Sequence, residues 1–156
     1  MLAQSWQAIG DAPPANQQVA IGNSPQAAKK FARARVLVVD DEPLIRWSIG
    51  ETLGERGYEV TEAGDAQSAM HAFVPGACPV DLVLLDLLLP DADDLQVLSA
   101  IRRVSPHTPV IVMTAYGSPE LFTEARRLGA FAIVDKPFEL DALPPLVERA
   151  LAARPH

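Results

Sequence analysis

The sequence predicts an α/β protein: a doubly wound, five-stranded parallel sheet with helices on both faces, three layers in all. Three observations carry this. Short apolar runs alternate five times with stretches of helical periodicity. The runs VLVV, VLL and VIV are apolar without a break, as strands buried on both faces require. Gly57, Pro75-Gly76 and Gly129 punctuate the intervals with turn and stop signals. Parallel strands joined by helices need crossovers, which are right-handed and cover both faces of the sheet.

The elements follow in order. VLVV at 36–39 is a β-branched run suited to a buried first strand. Asp41-Glu42-Pro43 opens a helix with Ile45, Ile49 and Leu53 on one face, stopped by Gly57. Taken alone, Asp41 reads as a cap of that helix, a role compatible with holding a cation. YEVTEA (58–63) is the second strand, and a short helix runs from Ala66 to Phe73. DLVLLD (81–86) is the third and most apolar strand, followed by a helix with Leu95, Leu98 and Ile101 on its inner face. PVIVMT (109–114) is the fourth strand. Ser118-Pro119-Glu120 caps the next helix, with Leu121, Ala125 and Leu128 facing in. AFAIV (130–134) is the fifth strand, and the last helix runs from about Asp141 to Ala153. Pro144-Pro145 is tolerated only in a first turn, so that helix starts late.

Residues 1–34 differ. They are rich in Ala, Gln, Pro and Asn and read as a flexible N-terminal tail ahead of a domain at 35–153. Leu2, Trp6 and Ile9 can form one apolar stripe, and Ser24-Pro25 can start a short helix reaching Ala34.

Composition removes several function classes. A net charge of −7 argues against direct binding to nucleic-acid phosphates. Cys78 is the only cysteine, so no internal disulfide forms, and it reads as a loop residue without chemistry. MLAQSWQAIGDAPP lacks the cationic start and apolar stretch of a secretory leader. No apolar run reaches the ~20 residues of a membrane helix. A cytoplasmic protein without membrane contact is the expectation.

Chemistry gathers at the carboxyl ends of parallel strands. There the first strand ends in Asp40-Asp41, the third in Asp86, the fourth in Thr114-Ala115, and the fifth in Asp135-Lys136-Pro137. Adjacent strands lie ~4.8 Å apart, so the central groups become neighbours. Asp86 interrupts LVLLDLLLP, where a buried charge is costly unless it faces a polar cleft. Asp40 and Asp41 crowd like charges, which a hard divalent cation such as Mg²⁺ relieves. A cis Lys136-Pro137 bond would aim the ammonium into the same cleft. Singly, Asp86 reads as a loop cap, Lys136 as a surface lysine and Thr114 as a strand residue; jointly they read as a site.

VLVVDDEP (36–43), LVLLDLLLP (82–90), MTAYGS (113–118) and LGAFAIVDKPF (128–138) occur in order. On these motifs, residues 35–153 resemble the receiver domain of two-component response regulators, the family of the chemotaxis regulator CheY. The resemblance implies a flavodoxin-like fold with strand order 2-1-3-4-5. It implies that Asp86 takes a phosphoryl group from a phosphohistidine on a sensor histidine kinase or phosphotransfer protein. It implies Mg²⁺ held by Asp41, Asp86 and the backbone carbonyl of Leu88, with Asp40 acting through water. Lys136, Thr114 and the Ala115 N–H would contact the phosphoryl oxygens. The domain would assist its own phosphorylation and dephosphorylation without being an enzyme. It would signal to a downstream protein as a monomer or phosphorylation-dependent dimer.

Departures from the family pattern shape the expectations. Ile133 stands where an aromatic residue usually follows the threonine's movement, with Tyr116 and Phe131 as candidate substitutes. Asp94 stands where the loop often has Gly. Leu88 cannot position water, and Tyr116 is bulky, so a long-lived phosphoryl state is expected. Few residues follow Lys136, which favours a single-domain receiver. The nitrogen-regulation character of MTAYGS and LGAF keeps a longer transcriptional regulator as an alternative. A phosphatase with Asp-x-Asp fails, because Leu87-Leu88 follow Asp86. A module that never takes phosphate would leave the Asp, Thr and Lys set unexplained.

Overall fold

Strand β1 (Arg35–Val39) pairs with β2 (Glu59–Ala63) on one side and β3 (Leu82–Asp86) on the other, in parallel. Strands β4 (Val110–Thr114) and β5 (Ala132–Asp135) extend the sheet to the order β2-β1-β3-β4-β5. The computed structural model describes residues 33–154. The tail, the stripe at Leu2, Trp6 and Ile9, and nearly all of the helix from Pro25 lie outside the described residues.

Five helices follow the strands: α1 (Pro43–Gly54), α2 (Ala66–His71), α3 (Gln96–Val104), α4 (Pro119–Arg127) and α5 (Leu143–Ala153). Alternation along the strands divides the core in two. Val36, Val38, Leu82, Leu84, Ile111 and Met113 face α1 and α5, meeting Ile49, Leu53, Val147 and Leu151. Leu37, Val39, Val83, Leu85, Val110 and Val112 face the other way, onto Ala69, Leu98, Ile101 and Ala125. The buried strands β3 and β4 are thus apolar on both sides, as their unbroken runs require. The expected three-layer, doubly wound architecture is the one observed.

Three local expectations change. Asp41 does not cap α1: Glu42 holds that position, without a side-chain bond. The Glu42 N–H instead donates to Asp40 Oδ1 at 2.9 Å. Strand β5 starts at Ala132 rather than Ala130, because the Ala130 N–H is used on the Ala125 carbonyl. Gly129 makes that reversal with φ +102°, a conformation suited to glycine. The last helix begins at Leu143 after a 3₁₀ turn at Leu140–Ala142, with both prolines in its first turn as expected. Asp94, where a family glycine is common, does not adopt positive φ.

Candidate functional site

Register places the site. Val39 pairs with Leu85, Asp86 with Met113, and Thr114 with Asp135. Asp40, Asp86, Thr114 and Lys136 therefore emerge along one rim. A cleft of about 720 Å³ opens there, lined by Asp41, Asp86, Leu88, Ala115, Tyr116 and Lys136 among others.

The carboxylates converge. One oxygen from each of Asp40, Asp41 and Asp86 lies within 4.8 Å of the others. Asp40 is fully buried, Asp86 nearly so, and Asp41 exposed. Lys136 enters from the far side, and its bond to Pro137 is cis. Its Nζ lies 2.6 Å from Asp40 Oδ2, 3.2 Å from Asp86 Oδ2 and 3.4 Å from Glu42 Oε1. The Lys136 N–H donates to the Thr114 carbonyl at 2.9 Å, which ties β5 to the end of β4.

Electrostatics follow from this packing. Burial pushes the Asp86 carboxyl above the ordinary aspartate range; the Leu88 N–H, 3.0 Å from its Oδ1, opposes that, Asp40 reinforces it, and Lys136 opposes it. Burial alone would lower the Lys136 pKa. The hydrogen bond to Asp40 and the charges of Asp86 and Asp40 outweigh it and raise the ammonium above its usual value. The centre holds more negative charge than one ammonium offsets, and its donors are hard oxygens. That combination suits a hard divalent cation.

The sequence-expected residues do not all meet. Asp40, Asp41, Asp86 and Lys136 form one cluster. Leu88 and Ala115 line the cleft beside it. The Thr114 hydroxyl is buried and accepts from the Tyr116 N–H at 3.2 Å rather than touching Asp86. Tyr116 is 75% exposed at the mouth. Ile133 is half-buried against the core on the α2–α4 face, and Cys78 is an exposed loop residue. Reading the sequence missed two contacts: Glu42 on Lys136, and Arg46, whose Nη1 reaches the Asp40 carbonyl at 2.6 Å. The signal for Arg46 was its place in the first turn of α1, beside the acidic pair.

Comparison with known proteins agrees with this geometry. A family model described as the response regulator receiver domain matches residues 36–148. The regulatory protein AtoC of Escherichia coli is 40% identical over 117 residues, covering 75% of this chain and 25% of AtoC. Sporulation initiation phosphotransferase F of Bacillus subtilis is 33% identical, covering 75% of this chain and 93% of that protein. The receiver domain of NtrX from Brucella abortus superposes with a TM-score of 0.68 at 38% identity, covering 76% of this chain and 98% of that one. The chain spans 25% to 57% of the length of the first curated relatives, AtoC and PdtaR.

Proposed function

The chain belongs to the response regulator receiver family, and on that premise we propose that Asp86 is its phosphoryl acceptor. The observation that carries the reading is a nearly buried carboxylate at the end of β3, 3.2 Å from Lys136 Nζ, open to a polar cleft. An Asp86 oxygen attacks the phosphorus of a phosphohistidine; the P–N bond breaks and an acyl phosphate forms on Asp86. Lys136 passes from Asp86 Oδ2 to a phosphoryl oxygen. The Thr114 hydroxyl only accepts from Tyr116, so its own proton is available for a second oxygen. The Ala115 N–H serves the third.

Asp41, Asp86 and the Leu88 carbonyl are the proposed holders of Mg²⁺. Asp40 is engaged by Lys136 and the Glu42 N–H, which fits a role one step removed. Bound there, Mg²⁺ would supply neutralising charge to the phosphoryl oxygens.

The receiver is assigned to residues 35–153. The domain assists its own phosphorylation and dephosphorylation, and it works as a switch rather than turning over a small substrate. Its partners in this reading are a sensor histidine kinase or phosphotransfer protein and a downstream protein. A cytoplasmic place is part of this reading; no helix among the described residues is long and apolar enough to cross a membrane. The relative AtoC, four times the length of the match, supports a second reading in which the receiver heads a longer transcriptional regulator.

Acetyl phosphate with Mg²⁺ tests the proposal. Phosphate should be incorporated and then released by neutral hydroxylamine, which cleaves acyl phosphates; hydroxylamine-resistant label would rule out an aspartyl phosphate.

A further inference from the structure

Arg46 sits one turn into α1, behind the acidic rim. Its Nη1 donates to the Asp40 carbonyl at 2.6 Å, and its Nε donates to Glu62 Oε1 at 3.2 Å. That carbonyl belongs to the peptide joining Asp40 to Asp41. The same backbone is held on two further sides. The Asp40 N–H donates to the Ala63 carbonyl at 3.1 Å, and the Glu42 N–H donates to Asp40 Oδ1.

The guanidinium also occupies a slot against Gly64. A Cβ at Gly64 would lie 3.0 Å from Nη1, so even alanine would press on it. The plain alternative is a surface Arg–Glu pair of little consequence, since Glu62 is well exposed. A pair of that kind needs only Glu62. It accounts neither for the shorter bond to the carbonyl nor for the glycine slot.

We propose that Arg46 is a positioning residue for the acidic site: by holding the Asp40–Asp41 peptide, it sets how those carboxylates stand relative to Asp86, and thereby the affinity for a divalent cation. This rests on the reading that the site takes Mg²⁺. Groups that orient the ligands of a metal site change its affinity roughly 10–100-fold when lost.

The choice of variant matters. Removing the Arg46 charge would itself strengthen the pull of the carboxylates on a cation and mask the loss of geometry. Arg46→Lys keeps the charge, but one ammonium does not reproduce the two-ended guanidinium bridge. Gly64→Ala keeps every charge and presses on the guanidinium from the other side.

The test is calorimetric titration of MgCl₂ into the full chain, with a melting curve for each variant. Wild type should bind Mg²⁺, Arg46→Lys should weaken the Kd by roughly tenfold, and Gly64→Ala should weaken it in the same direction by less. A wild-type Kd in a folded Arg46→Lys, even with a lowered melting temperature, would show a purely structural role and overturn the proposal. Should Arg46→Lys fail to fold, Gly64→Ala decides in the same way. Wild type that binds no Mg²⁺ would instead remove the cation reading, and the proposal with it.

Discussion

The ammonium of Lys136 lies closer to Asp40 than to Asp86, 2.6 Å against 3.2 Å. Before any phosphoryl group arrives, the lysine is therefore the internal counter-ion of a crowded acidic centre. Its charge stands where a cation and a phosphoryl group would later share the load.

Lys136→Ala strips that counter-ion from two carboxylates that are almost fully buried. Breaking one partner of a buried pair costs about 3 kcal/mol at neutral pH. Urea unfolding at pH 7 should show the loss, and saturating Mg²⁺ should recover part of it. Phosphorylation of the variant by acetyl phosphate should be slowed even where it is folded.

Asp86→Asn acts in the opposite direction on stability. The folded pKa of Asp86 is raised by burial and by Asp40. The stability linked to that proton is present below the unfolded pKa and lost as pH rises through the folded one. At pH 7 the ionised carboxylate is a net cost, so Asp86→Asn should melt higher than wild type in EDTA. Mg²⁺ should raise the melting temperature of wild type and do so less in the variant. Equal melting temperatures in EDTA would contradict this.

The lifetime of the acyl phosphate should be set at the cleft mouth. Leu88 lines the cleft, is 42% exposed and offers no side-chain hydrogen bond to water, while Tyr116 stands beside it. A phosphoryl group that persists for minutes is expected; loss within seconds would contradict it. Leu88→Asn adds a group able to orient water. A hydrogen bond of about 1 kcal/mol corresponds to a roughly fivefold faster phosphate release.

Far from the site, Glu148 offers a pH test. Burial raises its carboxyl above the ordinary value, and the Arg56 charge only partly opposes that. Its neighbour Tyr58 is pushed up to about 12 by burial and by Glu148. With a raised folded pKa, the stability contribution is present at low pH and lost as pH rises through the carboxylate range. Glu148→Gln should therefore stabilise the protein at pH 7, by less than about 1 kcal/mol because solvent screens the site. The gain should vanish as pH falls below the ordinary glutamate value of 4.5.

Much of this was legible in the sequence for a physical reason. Strands buried on both faces must be apolar throughout, so β3 and β4 announce themselves, and a carboxylate ending such a run must face a cleft. The parallel order then brings Asp40, Asp86 and Lys136 to one rim. What stayed hidden depends on individual hydrogen bonds. The start of α1 follows from Asp40 taking the Glu42 N–H, and the start of β5 from Ala130 closing α4. Arg46 reads as one more polar residue on a helix until β2 is seen to bring Glu62 and Gly64 beside it. The direction of the Thr114 hydroxyl, which accepts from the Tyr116 N–H, is likewise a local choice of partner that strand periodicity does not encode.

Mass spectrometry after exposure to acetyl phosphate and Mg²⁺, run on wild type and Asp86→Asn with peptide mapping, tests the central claim most directly. One phosphate on the peptide containing Asp86 in wild type, and none in the variant, is the predicted result. An equal gain in both proteins, or a gain mapped to another residue, would contradict the assignment of Asp86.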